Sequence, residues 1–419
     1  MAPWLPQLSP QVWLLAAGRL LSQIGTGFTL FYAPIFFVNQ VGIAATSVGL
    51  ALGSASLSGV LGRFLSGTLA DSPRWGRRRT LLLSALVSAL ADVALALTVD
   101  VPTLVLGNLL MGLGIGLYWP ATEAAVADLT SLEQRNEAFA TTRLADSLGL
   151  GLGVVLGGWL IAAGGNARWL FVADGISFLV FFGLIYRAIA ETYDFSQHPA
   201  KTDTWWQLLG NYGRTAWGDR DLATFLAINV LFTSYIAQLQ SSIPLYFSNF
   251  VRRGGDRLGL EPSLISLLFS AHVAFAALWQ LPVARSLNHW SRTQALALSL
   301  SFWGLGFLTI WFTGTVPWAT LPGAIAALAL LSLAIVTYTP SASALVIELA
   351  PVSQRGLYAS LNSQCWALGY AFGPALGGWA LDQARWVADG FWLAAALTTL
   401  LGLAALRRLH RRLESRRLG

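Results

Sequence analysis

Residues 118–159 read YWPATEAAVADLTSLEQRNEAFATTRLADSLGLGLGVVLGGW, and residues 338–379 read YTPSASALVIELAPVSQRGLYASLNSQCWALGYAFGPALGGW. At a spacing of 220 residues the two stretches agree at Tyr118/Tyr338, Pro120/Pro340, Gln134/Gln354, Arg135/Arg355, Gly149/Gly369, Gly153/Gly373, Gly157/Gly377, Gly158/Gly378 and Trp159/Trp379. With Ala124, Val126, Leu129, Leu148, Leu156 and their partners, 14 of 42 positions are identical. That exceeds chance several-fold even in a Leu/Ala/Gly-rich chain, so half of the protein is one unit used twice. The repeated unit is apolar.

Composition says what an apolar repeat must be. The 419 residues are 55% apolar and only 11% charged, with a mean hydropathy of +0.60, against roughly 25% charged in soluble domains. Apolar runs such as 12–38, 80–99, 170–185 and 321–336 exceed or approach the roughly 20 residues that a bilayer-spanning helix needs. They lack the alternation of a membrane barrel. The sequence therefore predicts an all-α, polytopic membrane protein. The first ten residues carry no positive side chain, and the first apolar run is long and contains Arg19, so no cleavable leader is expected. A single cysteine, Cys365, excludes an intrachain disulfide and a multi-cysteine metal site.

Breaks at polar and Gly/Pro clusters give twelve spans: 12–38, 45–70, 79–99, 103–127, 137–163 and 169–189, then 221–250, 262–285, 293–314, 321–348, 356–381 and 386–406. A repeat in the same sense requires an even number of helices per half, and six plus six satisfies this. The expected organisation is a six-helix bundle over 1–189, a polar cytoplasmic linker over 190–220, a second bundle over 221–406 and a basic cytoplasmic tail over 407–419. With both termini inside, 18 of the 26 Lys/Arg lie on the cytoplasmic side, five outside and three within spans. That bias sets the orientation in a cell inner (plasma) membrane. It also accounts for a pI near 9.8 without nucleic acid.

Charges inside spans are costly and by default face a cavity or one another. Arg143 and Asp146 stand three apart on span 5 and share a face, and Glu123 lies one turn inside the end of span 4. A Glu123–Arg143–Asp146 cluster is expected, either as a structural ion pair or as a proton-coupling site, with Asp92 of span 3 as a second proton-coupling candidate. Polar and aromatic residues mark a substrate cavity: Arg19 and Gln23 on span 1, Asn108 and Trp119 on span 4, Asn229 and Gln238 on span 7, His272 on span 8, Asn362 and Trp366 on span 11. Such linings suit an amphipathic or flat organic ligand, though aromatic core packing would use the same residues. For His272 the alternative is a hydrogen-bonded core histidine. Gly149, Gly153 and Gly157, like Gly369, Gly373 and Gly377, recur every fourth residue and form a smooth strip for close helix packing, or a surface on which the halves rock.

Two motifs resemble a known family. Gly67-Thr-Leu-Ala-Asp71-Ser-Pro-Arg-Trp-Gly76-Arg77-Arg78-Arg79 resembles the G-x-L-A-D-R-x-G-R-R loop of the major facilitator superfamily, with two extra residues before Gly76. Gly369-Tyr-Ala-Phe-Gly373-Pro374-Ala-Leu-Gly377-Gly378 is similar to the G-x-x-x-G-P-x-x-G-G motif of its drug:proton antiporter (multidrug efflux) branch, here on span 11 instead of span 5. The resemblance implies twelve transmembrane helices in two parallel-repeat bundles, secondary transport by alternating access, and a gating loop in which Asp71, Arg77 and Arg78 latch one state with Asp128 as partner. Glu348 could likewise meet Arg285 or Arg292. Where proton-coupled relatives carry an arginine on span 4, this chain has Asn108, which moves any coupling to Arg19 or Arg143. The reading is a monomeric exporter of small amphipathic compounds against inward proton flow, with a metabolite or sugar carrier as the alternative. No nucleotide loop, nucleophile constellation or metal-ligand set occurs, so no enzyme, cofactor or metal is expected.

Overall fold

The computed structural model describes residues 8–70, 72, 75–131, 134–163, 166–192, 218–251, 258–287, 289–351 and 355–418. Their architecture is twelve long helices. The first six are α1 (Pro10–Asn39), α2 (Ala45–Ala70), α3 (Gly76–Ala96), α4 (Val101–Asp128), α5 (Arg135–Ala162) and α6 (Arg168–Ala188). The second six are α7 (Arg220–Asn249), α8 (Pro262–Ser286), α9 (Arg292–Thr315), α10 (Thr320–Leu349), α11 (Arg355–Leu381) and α12 (Arg385–Leu418). Eleven are long and apolar enough to cross a membrane. The twelfth, α11, has 27 residues, and Asn362, Ser363 and Gln364 lower its hydropathy. The chain is a multi-pass membrane protein.

The first helix of each half is broken in the same way. α1 stops at Leu30 and resumes at Tyr32; α7 stops at Gln240 and resumes at Ser242. Pro34 and Pro244 follow the breaks. A proline lacks the N–H for the carbonyl four residues back, here Leu30 and Gln240, and its ring crowds that carbonyl. The spacing between these prolines is 210, not 220, so Arg19 corresponds to Asn229 and Gln23 to Thr233.

Contacts divide the chain into two units, 1–43 with 50–201 and 44–49 with 202–419. In the first unit α1 packs on α5 and α6, and α3 packs on α4 and α6. The Ser66 hydroxyl of α2 donates to the Leu117 carbonyl of α4 at 2.7 Å. In the second unit α7 packs on α11 and α12, α9 on α10 and α12, and α8 on α10. The pairing scheme is the same, as the internal repeat requires.

Glycines bring these helices together. A Cβ on Gly153 would fall 2.8 Å from the Gly27 Cα, and one on Gly149 2.8 Å from the Gln23 Cβ, so the α5 strip faces α1. On α11, a Cβ on Gly373 would meet Ala237 at 2.9 Å, and one on Gly369 would meet the Ser234 nitrogen at 2.6 Å. Gly157 and Gly377 continue the two strips against Phe28 and Ser242, and Pro374 is buried beside them. The strips are internal seams of each unit, the close packing expected of them and not the alternative of a rocking surface. With no water to squeeze out in lipid, such backbone contact is what holds helices together.

Two arginines do structural work that the positive-charge count did not foresee. Arg168, at the start of α6, donates to the Ala96 and Thr98 carbonyls at 2.7 and 3.0 Å, at the end of α3. Arg385, at the start of α12, donates to the Gly314 carbonyl at 3.0 Å and the Phe250 carbonyl at 2.8 Å. Each fills orphan acceptors at a helix end. The basic segment 407–418 continues α12 as helix. Leu406 and Leu409 are buried and Leu413 half-buried, an apolar stripe at helical spacing that leaves Arg407, Arg408, Arg411 and Arg412 exposed.

The seam makes a direct prediction. Gly153→Leu should lower the melting temperature markedly, whereas Gly183→Leu, where a Cβ meets nothing within 4 Å, should melt near the wild type. Equal melting temperatures in detergent would contradict the seam.

Candidate functional site

The first unit holds a charged cluster on α1, α4 and α5. The Arg19 guanidinium, 1% exposed, donates from Nε to Asp146 Oδ1 at 2.9 Å, and from a second nitrogen to the other oxygen of Asp146. This is the bidentate geometry that guanidinium and carboxylate planes favour. Trp119 lies next to it, with the Arg19 guanidinium 5.0 Å from its ring centroid and the Arg143 guanidinium 5.1 Å from it. Arg143 in turn donates to Glu123 at 3.0 Å. The expected Glu123–Arg143–Asp146 cluster is therefore corrected to two pairs joined through an indole. Arg19, too buried to be solvated, takes the better-shielded carboxylate, while Arg143 reaches outward to half-exposed Glu123. Breaking a buried pair by removing one partner typically costs ~3–5 kcal/mol, because the other charge is left stranded.

The repeat carries no such charges in the second unit. Asn229, the counterpart of Arg19, donates from Nδ2 to Asn362 Oδ1 at 2.7 Å and accepts from the Tyr338 hydroxyl at 2.6 Å. Trp366, the counterpart of Asp146, stacks on Tyr370 with centroids 6.0 Å apart and planes 29° from parallel. The Tyr370 hydroxyl donates to Gln240 at 2.8 Å. The result is a neutral amide–aromatic cluster on α7, α10 and α11, in which Asn229 and Tyr338 are buried and Gln240, Asn362, Trp366 and Tyr370 half-buried.

Three expected cavity residues are committed elsewhere. His272 is buried, with Nδ1 2.6 Å from the Ser332 hydroxyl and 3.2 Å from the Leu328 carbonyl, so it is a core histidine. Gln238 donates to the Gly373 carbonyl at 2.6 Å across the α7–α11 seam. Asn108 donates to Leu104 of its own helix at 2.9 Å. Buried amides and imidazoles find hydrogen bonds wherever packing offers them, and here it offers backbone. Gln23 remains half-buried beside the α5 seam. Asp92 joins neither pair and faces α6 instead.

At one end of the first unit Arg77 pairs with Asp128, the partner expected for it. The Thr192 hydroxyl donates to the same carboxylate at 3.2 Å. Arg78 donates to the Tyr186 carbonyl at 2.6 Å, its guanidinium 5.3 Å from the Tyr186 ring centroid. Glu191, which sequence reading missed, accepts from the backbone N–H of Arg77 at 2.8 Å and of Arg78 at 3.2 Å, capping the start of α3. Gly76 is obligatory there: its φ is +80°, and a Cβ would collide with the Glu191 carboxylate. Gly67 lies in α2 with open space where a Cβ would go. Asp71 lies outside the described residues. In the second unit Glu348 and Arg292 line a cleft with His289, His410 and Glu414, where His410 meets Thr293 at 2.8 Å and Glu414 at 3.2 Å. The Arg285 side chain lies outside the described residues.

Known proteins place this arrangement. The family model for the Major Facilitator Superfamily matches residues 15–255 and 255–418. The multidrug resistance protein MdtH of Aeromonas salmonicida (strain A449) is 27% identical over 403 residues, covering 93% of each chain. The uncharacterised MFS-type transporter YttB of Bacillus subtilis (strain 168) is 23% identical over 380 residues, covering 88% of each. Among solved structures, the nucleoside transporter NupG superposes with a TM-score of 0.78 at 13% identity, covering 96% of this chain and 99% of the other. The D-xylose-proton symporter superposes with 0.69 at 16%, covering 93% and 96%. These likenesses in fold, with the family match over nearly the whole chain and the repeated six-helix units, mean that the protein is a transporter of the major facilitator superfamily.

Proposed function

We propose that this transporter exports small amphipathic organic compounds in exchange for protons. The observation that carries the reading is the Arg19–Asp146 pair stacked on Trp119. An ionised Asp146 neutralises a buried guanidinium; a protonated one cannot. Protonation therefore strands the Arg19 charge, and the cluster must rearrange before it is stable again. Arg143 and Glu123, across the same indole, are the groups able to answer that rearrangement. Arg19 thus takes the place of the arginine that proton-coupled relatives carry on the fourth span.

The organic compound is assigned to the second unit. Trp366 stacked on Tyr370 offers a flat apolar face, and half-buried Asn362 and Gln240 offer neutral polar groups, with Asn229 behind them holding Asn362 in place. Without a formal charge, such a surface selects for shape and amphipathicity more than for one functional group. Names among the relatives, such as the multidrug resistance protein MdtH, favour the same substrate class. The amides beside a stacked aromatic pair would equally suit a sugar or nucleoside, which is the second reading.

On this reading the membrane is the cell's inner one and both termini lie in the cytoplasm, an orientation that the distribution of Lys and Arg favours. The Arg77–Asp128 pair and the Glu191 cap then sit on the cytoplasmic side, where they would hold the first unit in one state of the cycle. One chain carries both repeats, so the working unit is a monomer.

In proteoliposomes loaded with a lipophilic dye, an imposed pH gradient should accelerate efflux, and Asp146→Asn should abolish that acceleration while leaving the melting temperature measurable. An unchanged gradient response would reject the proton site. Asp128→Asn should slow transport by about tenfold, or ~1.4 kcal/mol of barrier, with little change in substrate affinity; equal losses in both would argue against a gating role. Trp366→Ala should weaken binding of an aromatic substrate about three- to tenfold, the usual worth of one stacking contact, and unchanged affinity in a calorimetric titration would remove the second-unit site.

A further inference from the structure

We propose that Asp92 of α3 and Asp174 of α6 form a second proton-binding site, a buried carboxyl pair that holds one proton and is separate from the Arg19–Asp146 cluster. The proposal does not rest on the export reading. Both side chains are 1% exposed, and both oxygens of Asp92 are buried without a hydrogen-bond partner. The Ser177 hydroxyl donates to the Asp174 backbone carbonyl at 2.7 Å and lies 3.5 Å from Asp174 Oδ1. The helices meet closely here. A Cβ on Gly175 would lie 3.2 Å from the Cβ of Asp92, and one on Gly25 would run into the Asp174 carboxylate and lie 2.5 Å from the Ser177 hydroxyl. Glycine at both positions makes room for carboxyl groups.

Among the described residues no cation is paired with either carboxylate. Arg168, six residues before Asp174, is committed to the Ala96 and Thr98 carbonyls. On α1, Arg19 belongs to Asp146; on α4, Glu123 belongs to Arg143 and Asp128 to Arg77. Arg77, Arg78 and Arg79 stand at the start of α3, more than three turns from Asp92, and Arg187 ends α6. Asp100 is in solvent at the start of α4 and is bonded to Thr103. The second unit resolves the comparable problem differently. There Asp389 sits four residues after Arg385, 3.4 Å from it, and accepts from the Tyr246 hydroxyl at 2.5 Å.

Two buried carboxylates on helices packed this closely, in a low dielectric, cannot both stay ionised without a counter-charge. The simplest neutralisation is a proton delivered from water to one carboxylate oxygen, making a neutral acid. A neutral Asp92 would also avoid the cost of an ionised carboxylate whose oxygens have no hydrogen-bond partner. Losing the proton would set like charges against each other and force α3 from α6, so occupancy of the site would be felt in the packing of the first unit.

The test needs no transport assay. The intact protein in nanodiscs is treated at neutral pH with a hydrophobic carbodiimide, which attacks only protonated carboxyls in apolar surroundings, and the adducts are mapped by mass spectrometry. Labelling at Asp92 or Asp174, with none at Asp100, is expected; no adduct at either would overturn the proposal. Infrared spectra should show a neutral carboxylic acid band that shifts in Asp92→Asn and disappears in the Asp92→Asn/Asp174→Asn double variant. A band unaltered in the double variant would overturn it as well. Protection from labelling by sodium chloride but not choline chloride would assign the pair to a metal cation and overturn the proton assignment. Because neither readout involves substrate, loss of proton-coupled export would leave the result standing.

Discussion

Close helix contact through glycine is the constraint from which the rest of this structure follows. In a bilayer, apolar side chains gain little by leaving lipid for protein, so helices adhere where backbones come near enough for dense packing and for polar groups to reach across. Gly149, Gly153 and Gly157 bring α5 onto α1, and Gly369, Gly373 and Gly377 bring α11 onto α7. Only at that proximity can Arg19 form two hydrogen bonds with Asp146, or Gln238 reach the Gly373 carbonyl. The seam and the polar contacts across it are one construction. This is why the same glycines recur in both halves although the residues they bring together do not.

The duplicated scaffold carries two chemistries. Tyr118 and Tyr338 occupy corresponding places, but one lies beside a guanidinium and the other donates to an amide. Around the first stand Arg19, Asp146, Arg143 and Glu123; around the second stand Asn229, Asn362, Trp366 and Tyr370. A charged cluster can answer to a proton, and a neutral aromatic surface can accept an organic molecule without a large desolvation cost. Duplication followed by such divergence leaves one unit charged and the other neutral, the division of labour proposed above, with the helix seams kept in both.

Much of the fold was legible because it is written in periods. Span lengths, the 220-residue repeat and the four-residue glycine spacing are local signals, and Arg77 with Asp128 could be paired from charge at neighbouring helix ends. The site was less legible, for physical reasons. Asp146 shares a helix face with Arg143, yet it bonds Arg19, 127 positions away; which cation wins depends on burial, which spacing does not encode. The relation of Arg19 to Asn229 was hidden because the repeat shortens to 210 in the first helix of each half, visible only once Pro34 and Pro244 are seen breaking their helices alike. His272, Gln238 and Asn108 looked like cavity residues since a polar side chain in a span reads the same whether it faces a ligand or a backbone carbonyl. Glu191 lay beyond the last span, where nothing marks a helix cap for a different helix.

The central claim is that a proton on Asp146 is exchanged for an exported molecule. Its most direct measurement is the lumenal pH of proteoliposomes during substrate efflux, started with no pH gradient and with membrane potential clamped. The lumen should acidify as substrate leaves, in fixed proportion to the amount exported, and that signal should vanish in Asp146→Asn. Substrate efflux by the wild-type protein with lumenal pH unchanged would contradict it.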